Sequence, residues 1–232
     1  MHKIAILDSI IAGAMEQRGT LNRYEKIVGP QTALVVIDLQ NVFMLPGMPI
    51  EVPTAREIIP NVNRLAAETR KAGGKVVWIQ MTLTDQEESW SVFFQGDHRN
   101  EAYRQLQRGS HGHALHAALD VKADDLIVEK RRYSAFIQGS SNLDQILRGF
   151  GIDTLVITGT LTNVCCESTA RDAMMLNYKV VFPADANAAL SDEEHNATLG
   201  SILRTFGDVP TTDETIARLV PAHRFSIAAA GN

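Results

Sequence analysis

Cysteine is scarce in this chain of 232 residues: only Cys165 and Cys166 occur, and they are adjacent. Adjacent cysteines cannot close a loop, so the sequence excludes a disulfide scaffold and predicts a reduced, cytoplasmic protein. Hydrophobic runs are short, and none approaches the roughly 20 residues that a membrane span needs. The 22 basic residues against 27 acidic ones give a net charge of −5, which argues against a surface for nucleic acid or an anionic membrane.

The first residues allow two interpretations. An apolar stretch after Lys3 imitates a signal peptide, but Asp8 interrupts it. Apolar residues with helical spacing instead favour a helix that packs on its own domain or on a partner subunit: Ile4, Leu7, Ile10, Ile11 and Ala14. We therefore predict a helical extension over residues 1–29 and a single domain over residues 30–232.

Apolar runs of strand length alternate with segments of helical spacing along the rest of the chain. The runs predict buried strands at residues 33–37, 75–80, 126–128, 154–158 and 179–182. The helical segments lie at residues 55–72, 143–150, 163–176, 192–206 and 213–219. This alternation predicts parallel βαβ units with right-handed crossovers, and so a three-layer α/β/α sandwich. The polar and aromatic stretch 81–112 is a long excursion that these patterns leave unassigned.

Three reactive side chains follow predicted strands: Asp38, Lys130 and Cys165. Ligands of open parallel sheets bind beyond the carboxyl ends of the strands, so we expect the three to converge. A carboxylate can act as the base for a thiol, and an ammonium stabilises both the carboxylate and the thiolate. Taken singly, each position also fits an ordinary structural residue, so the combination carries the hypothesis.

The two cysteines differ in their helical neighbours. Cys166 is in line with the apolar Ala170 and Ala173, whereas Cys165 is in line with Ser168 and Asp172. We therefore expect Cys166 in the core and Cys165 as the exposed thiol. Since Cys165 opens a predicted helix, unpaired N–H groups and the helix dipole favour its thiolate.

Three blocks in order carry a resemblance to a known family: residues 33–41 (ALVVIDLQN), 130–136 (KRRYSAF) and 158–165 (TGTLTNVC), the last continuing through 167–173. In these blocks the chain resembles the isochorismatase-like cysteine hydrolases, and most of all the ureidoacrylate and N-carbamoyl amidohydrolases among them. The likeness spans about residues 30–220.

The resemblance implies a six-stranded parallel sheet and a catalytic triad of Cys165, Asp38 and Lys130. It also implies a cis peptide bond between Thr160 and Leu161. The backbone N–H groups of Leu161 and Cys165 would then form an oxyanion hole. Members of the family are commonly homodimers or homotetramers, and the resemblance implies no cofactor.

The substrate implied is a small amide or ureide whose C–N bond is cleaved through an acyl-enzyme. Arg132 is a candidate partner for a substrate carboxylate. The full set of candidate substrate-binding residues is Gln40, Phe43, Trp90, Arg132, Tyr133, Phe136, Thr160 and Asn163. Three alternatives remain: a nicotinamidase-like enzyme, a cyclic-imide or lactam hydrolase, and a non-catalytic binding protein. Family members that cleave a vinyl ether lack the cysteine, so Cys165 favours C–N hydrolysis.

Metal binding is the remaining question for the sequence. Nicotinamidase-type members bind a metal through aspartate and histidine after the second strand, whereas residues 81–86 here contain no histidine pair. His111 and His113 form a His-x-His pair with His116 nearby, a spacing that can bind metal. Their glycine-containing segment precedes the third strand, and we predict that this protein holds no metal.

Overall fold

The computed structural model describes residues 1–84 and 101–221. In chain order its strands are β1 (Ile27–Val28), β2 (Thr32–Ile37), β3 (Lys75–Met81), β4 (Leu126–Lys130), β5 (Thr154–Thr160), β6 (Lys179–Val181), β7 (Asn187–Ala188) and β8 (Leu219–Val220). Six of them form one parallel sheet in the order β4-β3-β2-β5-β6, with β7 paired to the end of β5. The predicted fold class is confirmed.

Helices cover both faces of this sheet. They are α1 (Asp8–Arg18), α2 (Asn41–Met44), α3 (Ile59–Lys71), α4 (Glu101–Gln105), α5 (Leu143–Gly149), α6 (Glu167–Met175), α7 (Asp192–Ser201) and α8 (Thr212–Arg218). Residues of α5, α6 and α7 share one hydrophobic cluster with Val35 and Ile37 of β2. On the opposite face, α3 packs against Leu34 and Val36. Since β2 is buried on both faces, its run of apolar residues needs no polar alternation.

The N-terminal segment differs from the prediction. Its helix begins at Asp8, so Ile4 and Leu7 precede it and are exposed. Residues ahead of the helix bond to α7 instead: the Ala5 N–H donates to Asn196 Oδ1 at 2.6 Å. These long-range bonds replace the helical bonds that the spacing had suggested. Helix α1 packs on the turn at Ile202–Phe206 of the same chain.

Two shorter features complete the fold. Strand β1 pairs in parallel with β8, which joins the N-terminal segment to the far end of the described chain. The excursion at residues 81–112 contains α4, and its residues 85–100 lie outside the described part of the chain. None of the described helices is both long enough and apolar enough to span a membrane.

Candidate active site

Asp38 lies where β2 ends at the central position of the sheet. Its backbone turns into the left-handed region, with φ of 53°, and its N–H donates to Ile79 O of the neighbouring strand at 3.1 Å. A non-glycine residue in this region typically costs about 1 kcal/mol. The Asp38 side chain lies beside Lys130, at the end of β4.

Lys130, the last residue of β4, contacts both of the other reactive side chains, Asp38 and Cys165. Its Nζ lies 2.8 Å from Asp38 Oδ2 and 3.4 Å from Cys165 Sγ. The same ammonium donates to Arg132 O at 3.1 Å and contacts Met81 Sδ at 3.4 Å. The side chains of Asp38 and Lys130 have no exposed surface. The convergence expected at the carboxyl ends of the strands is therefore present.

Burial determines the proton affinities in this group. Burial raises the pKa of Asp38, although the Lys130 charge opposes the shift. Burial alone would lower the pKa of Lys130, but the Asp38 carboxylate and the Cys165 sulfur together raise it above its ordinary value. The 2.8 Å contact between Lys130 Nζ and Asp38 Oδ2 is that of a buried carboxylate–ammonium pair.

The thiol responds to the same environment. Burial raises the pKa of Cys165 and the Asp38 carboxylate adds to the rise, while Lys130 opposes it. Cys165 is only 7% exposed, so burial opposes the thiolate that the predicted helix N-terminus was expected to favour. A neutral thiol thus lies beside the ion pair.

The segment that carries Cys165 is a wide turn between β5 and α6. The Thr160–Leu161 peptide bond is cis, as the resemblance implies. Residues 162–166 then form a π-helical turn in which the N–H groups of Val164 and Cys166 both donate to Leu161 O at 3.1 Å. Cys166 is fully buried in the core, as expected. Cys165 is not the exposed thiol that was predicted, but it borders open space.

That open space is a cavity of about 590 Å³ in front of Cys165. Besides Cys165, three candidate residues from the sequence line it: Phe43, Tyr133 and Leu161. Burial raises the pKa of the Tyr133 hydroxyl, so this group is a neutral phenol in the wall. The backbone oxyanion hole at Leu161 and Cys165 stays a prediction.

Other candidates are placed elsewhere. The Gln40 amide is fully engaged: Nε2 donates to Met81 O and His113 O, and Oε1 accepts from the Met81 N–H. Gln40 thus joins the end of β3 to the His113 loop and does not line the cavity. Thr160 is also buried, and its Oγ1 donates to Ala188 O at 3.1 Å. Neither Gln40 nor Thr160 lines the cavity.

Arg132 and Phe136 also point away from the cavity. Arg132 lines a separate depression together with Ile137 and Ser168, and its Nη1 donates to Arg131 O at 2.7 Å. Phe136 packs against the core, with its ring 5.5 Å from that of Tyr178. The expected partner of a substrate carboxylate therefore lies outside the cavity, because the chain turns after Lys130 and alternate side chains face different spaces.

Two candidates remain. Asn163 does not line the cavity, and its buried Oδ1 has no hydrogen-bond partner within the described residues. Trp90 lies outside the described residues, so its assignment stays a prediction.

No pattern in the sequence indicates most of the cavity wall. Isolated apolar residues from loops supply it, including Met48, Ile50, Val52, Leu106 and Leu190. They follow no helical or strand period, so no pattern marks them. Their shared position arises only when the loops fold over the sheet.

The histidine segment has structural partners. The Nε2 atom of His113 lies 2.7 Å from Thr82 Oγ1, and Nδ1 of His116 accepts from the Ala118 N–H at 3.3 Å. Across residues 1–84 and 101–221, no group of three or more His, Cys, Asp and Glu side chains is placed to hold a metal ion.

Comparison with known proteins identifies the family. The model of the isochorismatase domain matches residues 32–214. The chain belongs to the isochorismatase family. Its relatives include the uncharacterized isochorismatase family protein YwoC of Bacillus subtilis (strain 168), which is 33% identical over 194 residues, or 82% of this chain and 94% of the relative. The resemblance read from the three sequence blocks is confirmed.

Solved structures of isochorismatase-like hydrolases are similar as well. A cysteine hydrolase from Pseudomonas syringae pv. phaseolicola 1448A is 30% identical with a TM-score of 0.78, over 86% of this chain and 97% of that one. The N-carbamoylsarcosine amidase from Thermoplasma acidophilum is 28% identical with a TM-score of 0.65, over 79% and 97%. The family is thus one of hydrolases that includes cysteine hydrolases and amidases.

Proposed function

We propose that this protein hydrolyses a C–N bond of a small amide or ureido substrate through an acyl-enzyme on Cys165. The observation that carries the proposal is the position of the Lys130 ammonium, 2.8 Å from Asp38 Oδ2 and 3.4 Å from Cys165 Sγ, with Cys165 itself at the wall of a cavity. A buried carboxylate, ammonium and thiol beside open space meet the needs of nucleophilic catalysis. The similarity to an amidase supports the choice of bond.

Acylation begins with proton transfer from Cys165 Sγ to Asp38. The raised pKa of Asp38 suits it to accept this proton, and the transfer leaves the net charge of the triad unchanged. The thiolate then attacks the substrate carbonyl, and the C–S bond forms as the carbonyl electron pair moves to oxygen. The backbone N–H groups of Leu161 and Cys165 stabilise that oxyanion.

The intermediate collapses when the C–N bond breaks. Asp38 returns its proton to the departing nitrogen, which leaves as ammonia or an amine, and a thioester or thiocarbamate remains on Cys165. Water then loses a proton to Asp38 and attacks the acyl carbon. The C–S bond breaks, the acid is released, and Asp38 returns its proton to Cys165 Sγ, which restores the thiol. Lys130 stays charged throughout and holds the other two groups in place.

Ammonia release from primary amides, ureides and nicotinamide, together with ring opening of cyclic imides, tests the proposal. Ammonia together with carbon dioxide indicates a carbamoyl substrate, whereas ammonia alone indicates a simple amide. Replacement of Cys165 by Ala is expected to lower turnover by about 10⁴-fold or more, because it removes the nucleophile that forms the acyl-enzyme.

The adjacent thiol provides a matched control. Because Cys166 is buried in the core and does not line the cavity, Cys166→Ala is expected to retain turnover and to lose only packing energy, about 1 kcal/mol. Loss of turnover in Cys166→Ala with retention in Cys165→Ala would reject the assignment. A panel without any Cys165-dependent hydrolysis would favour a non-catalytic binding protein.

A further inference from the structure

The cavity wall has a chemical character of its own. Of its described lining residues, all but Glu51, Tyr133 and Cys165 are apolar, and they include Phe43, Ile50 and Leu190. A volume of about 590 Å³ lies within the range of small-molecule sites and exceeds what ammonia or urea would fill. The wall therefore provides apolar contact for a substantial substituent on the acyl group.

Among the described residues that line the cavity, the one charged residue is already paired. The Glu51 carboxylate accepts from the Gly47 N–H and from Arg56 Nη1, both at 2.8 Å. These contacts lower the pKa of Glu51, so the one described acidic wall residue stays ionised and bonded to its neighbours. Arg132, which the sequence suggested for a substrate carboxylate, lies in a different depression.

We propose that this cavity selects amides whose acyl substituent is uncharged and apolar, such as a medium-length alkyl chain or an aromatic ring. The proposal rests on the hydrolysis proposed above and names its substrate class. Burial of each methylene against this wall favours binding about fourfold. A carboxylate at the same place would lose its hydration and face the Glu51 charge.

Matched pairs of primary amides test this inference. Hexanamide and adipic acid monoamide have equal chain length and differ in a terminal methyl against a terminal carboxylate. We expect kcat/KM for hexanamide to exceed that for the monoamide by about 100-fold. Along butanamide, pentanamide and hexanamide we expect a rise of about fourfold per methylene.

A variant that places a positive charge at the cavity rim should weaken the preference for apolar amides. Leu190 lines the cavity and is 60% exposed, so a lysine there can enter without burial of its charge. Leu190→Lys is expected to reduce the preference for hexanamide about tenfold through attraction of the carboxylate. The uncharged variant Leu190→Met is the matched control, and its preference should stay close to that of the parent.

The outcomes separate the two proposals. Faster Cys165-dependent hydrolysis of the monoamide than of hexanamide would overturn the apolar selectivity and leave the hydrolase proposal standing. If no amide or ureide in either panel is hydrolysed, the hydrolase proposal fails and the selectivity fails with it. A preference that increases with chain length supports both.

A second observation, independent of the cavity wall, concerns the turn that carries the nucleophile. The Oγ1 hydroxyl of Thr162 lies 2.9 Å from His195 Nδ1, and His195 Nε2 lies 3.0 Å from Ala184 O. A carbonyl oxygen only accepts, so Nε2 carries the proton and Nδ1 accepts from the Thr162 hydroxyl. Both Thr162 and His195 have no exposed surface.

The N-terminal segment closes over this contact. The ring of His2 stacks on that of His195 with centroids 4.4 Å apart. Its Nε2 accepts from the Ala189 N–H at 2.9 Å, and its Nδ1 donates to Asp192 Oδ1 at 2.7 Å. Residue 2 lies outside the matched family domain, yet it is buried against the partner of the nucleophile turn.

The geometry points to His195 as a positioning residue that holds the Thr162 turn, with His2 bracing it from the N-terminal segment. Thr162→Val and His195→Phe each remove the same hydrogen bond. We expect either variant to lower kcat about 10- to 100-fold with a much smaller change in KM, since small displacements of a nucleophile are costly. The conservative variant His195→Gln, which keeps a donor and an acceptor, should recover part of the loss.

A double-mutant cycle decides this second proposal. If the hydrogen bond carries the effect, Thr162→Val combined with His195→Phe should be no slower than either single variant. The rate of Cys165 alkylation by iodoacetamide provides a readout without any substrate and should change in parallel. Fully additive losses, or lowered thermal stability with unchanged kcat and alkylation, would overturn the positioning role.

Discussion

Gly159 of β5 lies directly opposite Ile37 of β2, one residue before Asp38. A Cβ atom at position 159 would lie 2.1 Å from the Ile37 carbonyl oxygen, and the Gly159 backbone has φ of +121°. The two strands therefore approach each other more closely here than any side chain allows. This approach brings the cis peptide at Thr160–Leu161 next to the Asp38 turn.

Replacement of Gly159 by Ala is expected to destabilise the fold by about 2–3 kcal/mol, since it adds both backbone strain and a backbone clash. Urea unfolding measures the loss. Gly151→Ala is the control, because Gly151 also has positive φ, +69°, but nothing within 4 Å of its added Cβ. Equal losses in the two variants would show that the clash at Ile37 is relieved.

Lys130→Met is expected to lower the free energy of unfolding by about 3 kcal/mol, because it leaves the Asp38 carboxyl buried without its cation. The double variant Asp38→Asn with Lys130→Met removes both charges and should recover much of this stability while turnover remains absent. Chemical denaturation of the three proteins provides the comparison. A double variant no more stable than Lys130→Met would contradict the argument.

Asp38→Asn alone should distinguish two effects of Asp38, its role as proton acceptor and its influence on the pKa of Cys165. The Asp38 carboxylate raises the pKa of Cys165, so its neutral replacement should shift the pH profile of Cys165 alkylation to lower pH. Hydrolysis should nevertheless be lost, because the proton acceptor is gone. Iodoacetamide labelling followed by mass spectrometry measures the profile, with Cys165→Ser as the blank. A profile shifted upward would contradict this electrostatic account.

The lowered pKa of buried His195 predicts that the free energy of unfolding depends on pH. Burial and the stacked His2 lower the pKa of His195 to about 4, with Asp192 opposing the shift. The unfolded chain protonates this histidine near its ordinary pKa of about 6.5, whereas the folded chain resists until about pH 4. Its contribution to stability is therefore present at neutral pH and falls by up to about 3 kcal/mol as the pH drops through this window.

Urea denaturation at a series of pH values tests this contribution. His195→Gln cannot titrate, so the difference between the two unfolding curves isolates the histidine from the other acid-sensitive groups. We expect the parent to lose stability faster than the variant as the pH falls. Parallel losses in the two proteins would count against a buried neutral His195.

The positions of the longer strands along the chain and the residues at their ends were accessible from the sequence, because both depend on local periodicity. Apolar runs marked the five longest strands, and Asp38 and Lys130 stood out as charges that end them. Parallel strands bring their carboxyl ends to one edge, so the meeting of these two with Cys165 followed without coordinates. For the segment ahead of Asp8, helical spacing predicted a helix that is not there, because hydrogen bonds to α7 determine the path of this segment.

The sequence by itself determined the α/β architecture, the family and the convergence of the three reactive residues, since short-range patterns and three sequence motifs encode them. Tertiary structure alone decided the ionisation of Cys165, the apolar wall of the cavity and the direction of Arg132. It also decided the burial of His2, whose bond to Asp192 joins residues 190 positions apart. Proton affinity and cavity shape depend on desolvation by distant segments, and no local pattern records which segments those are.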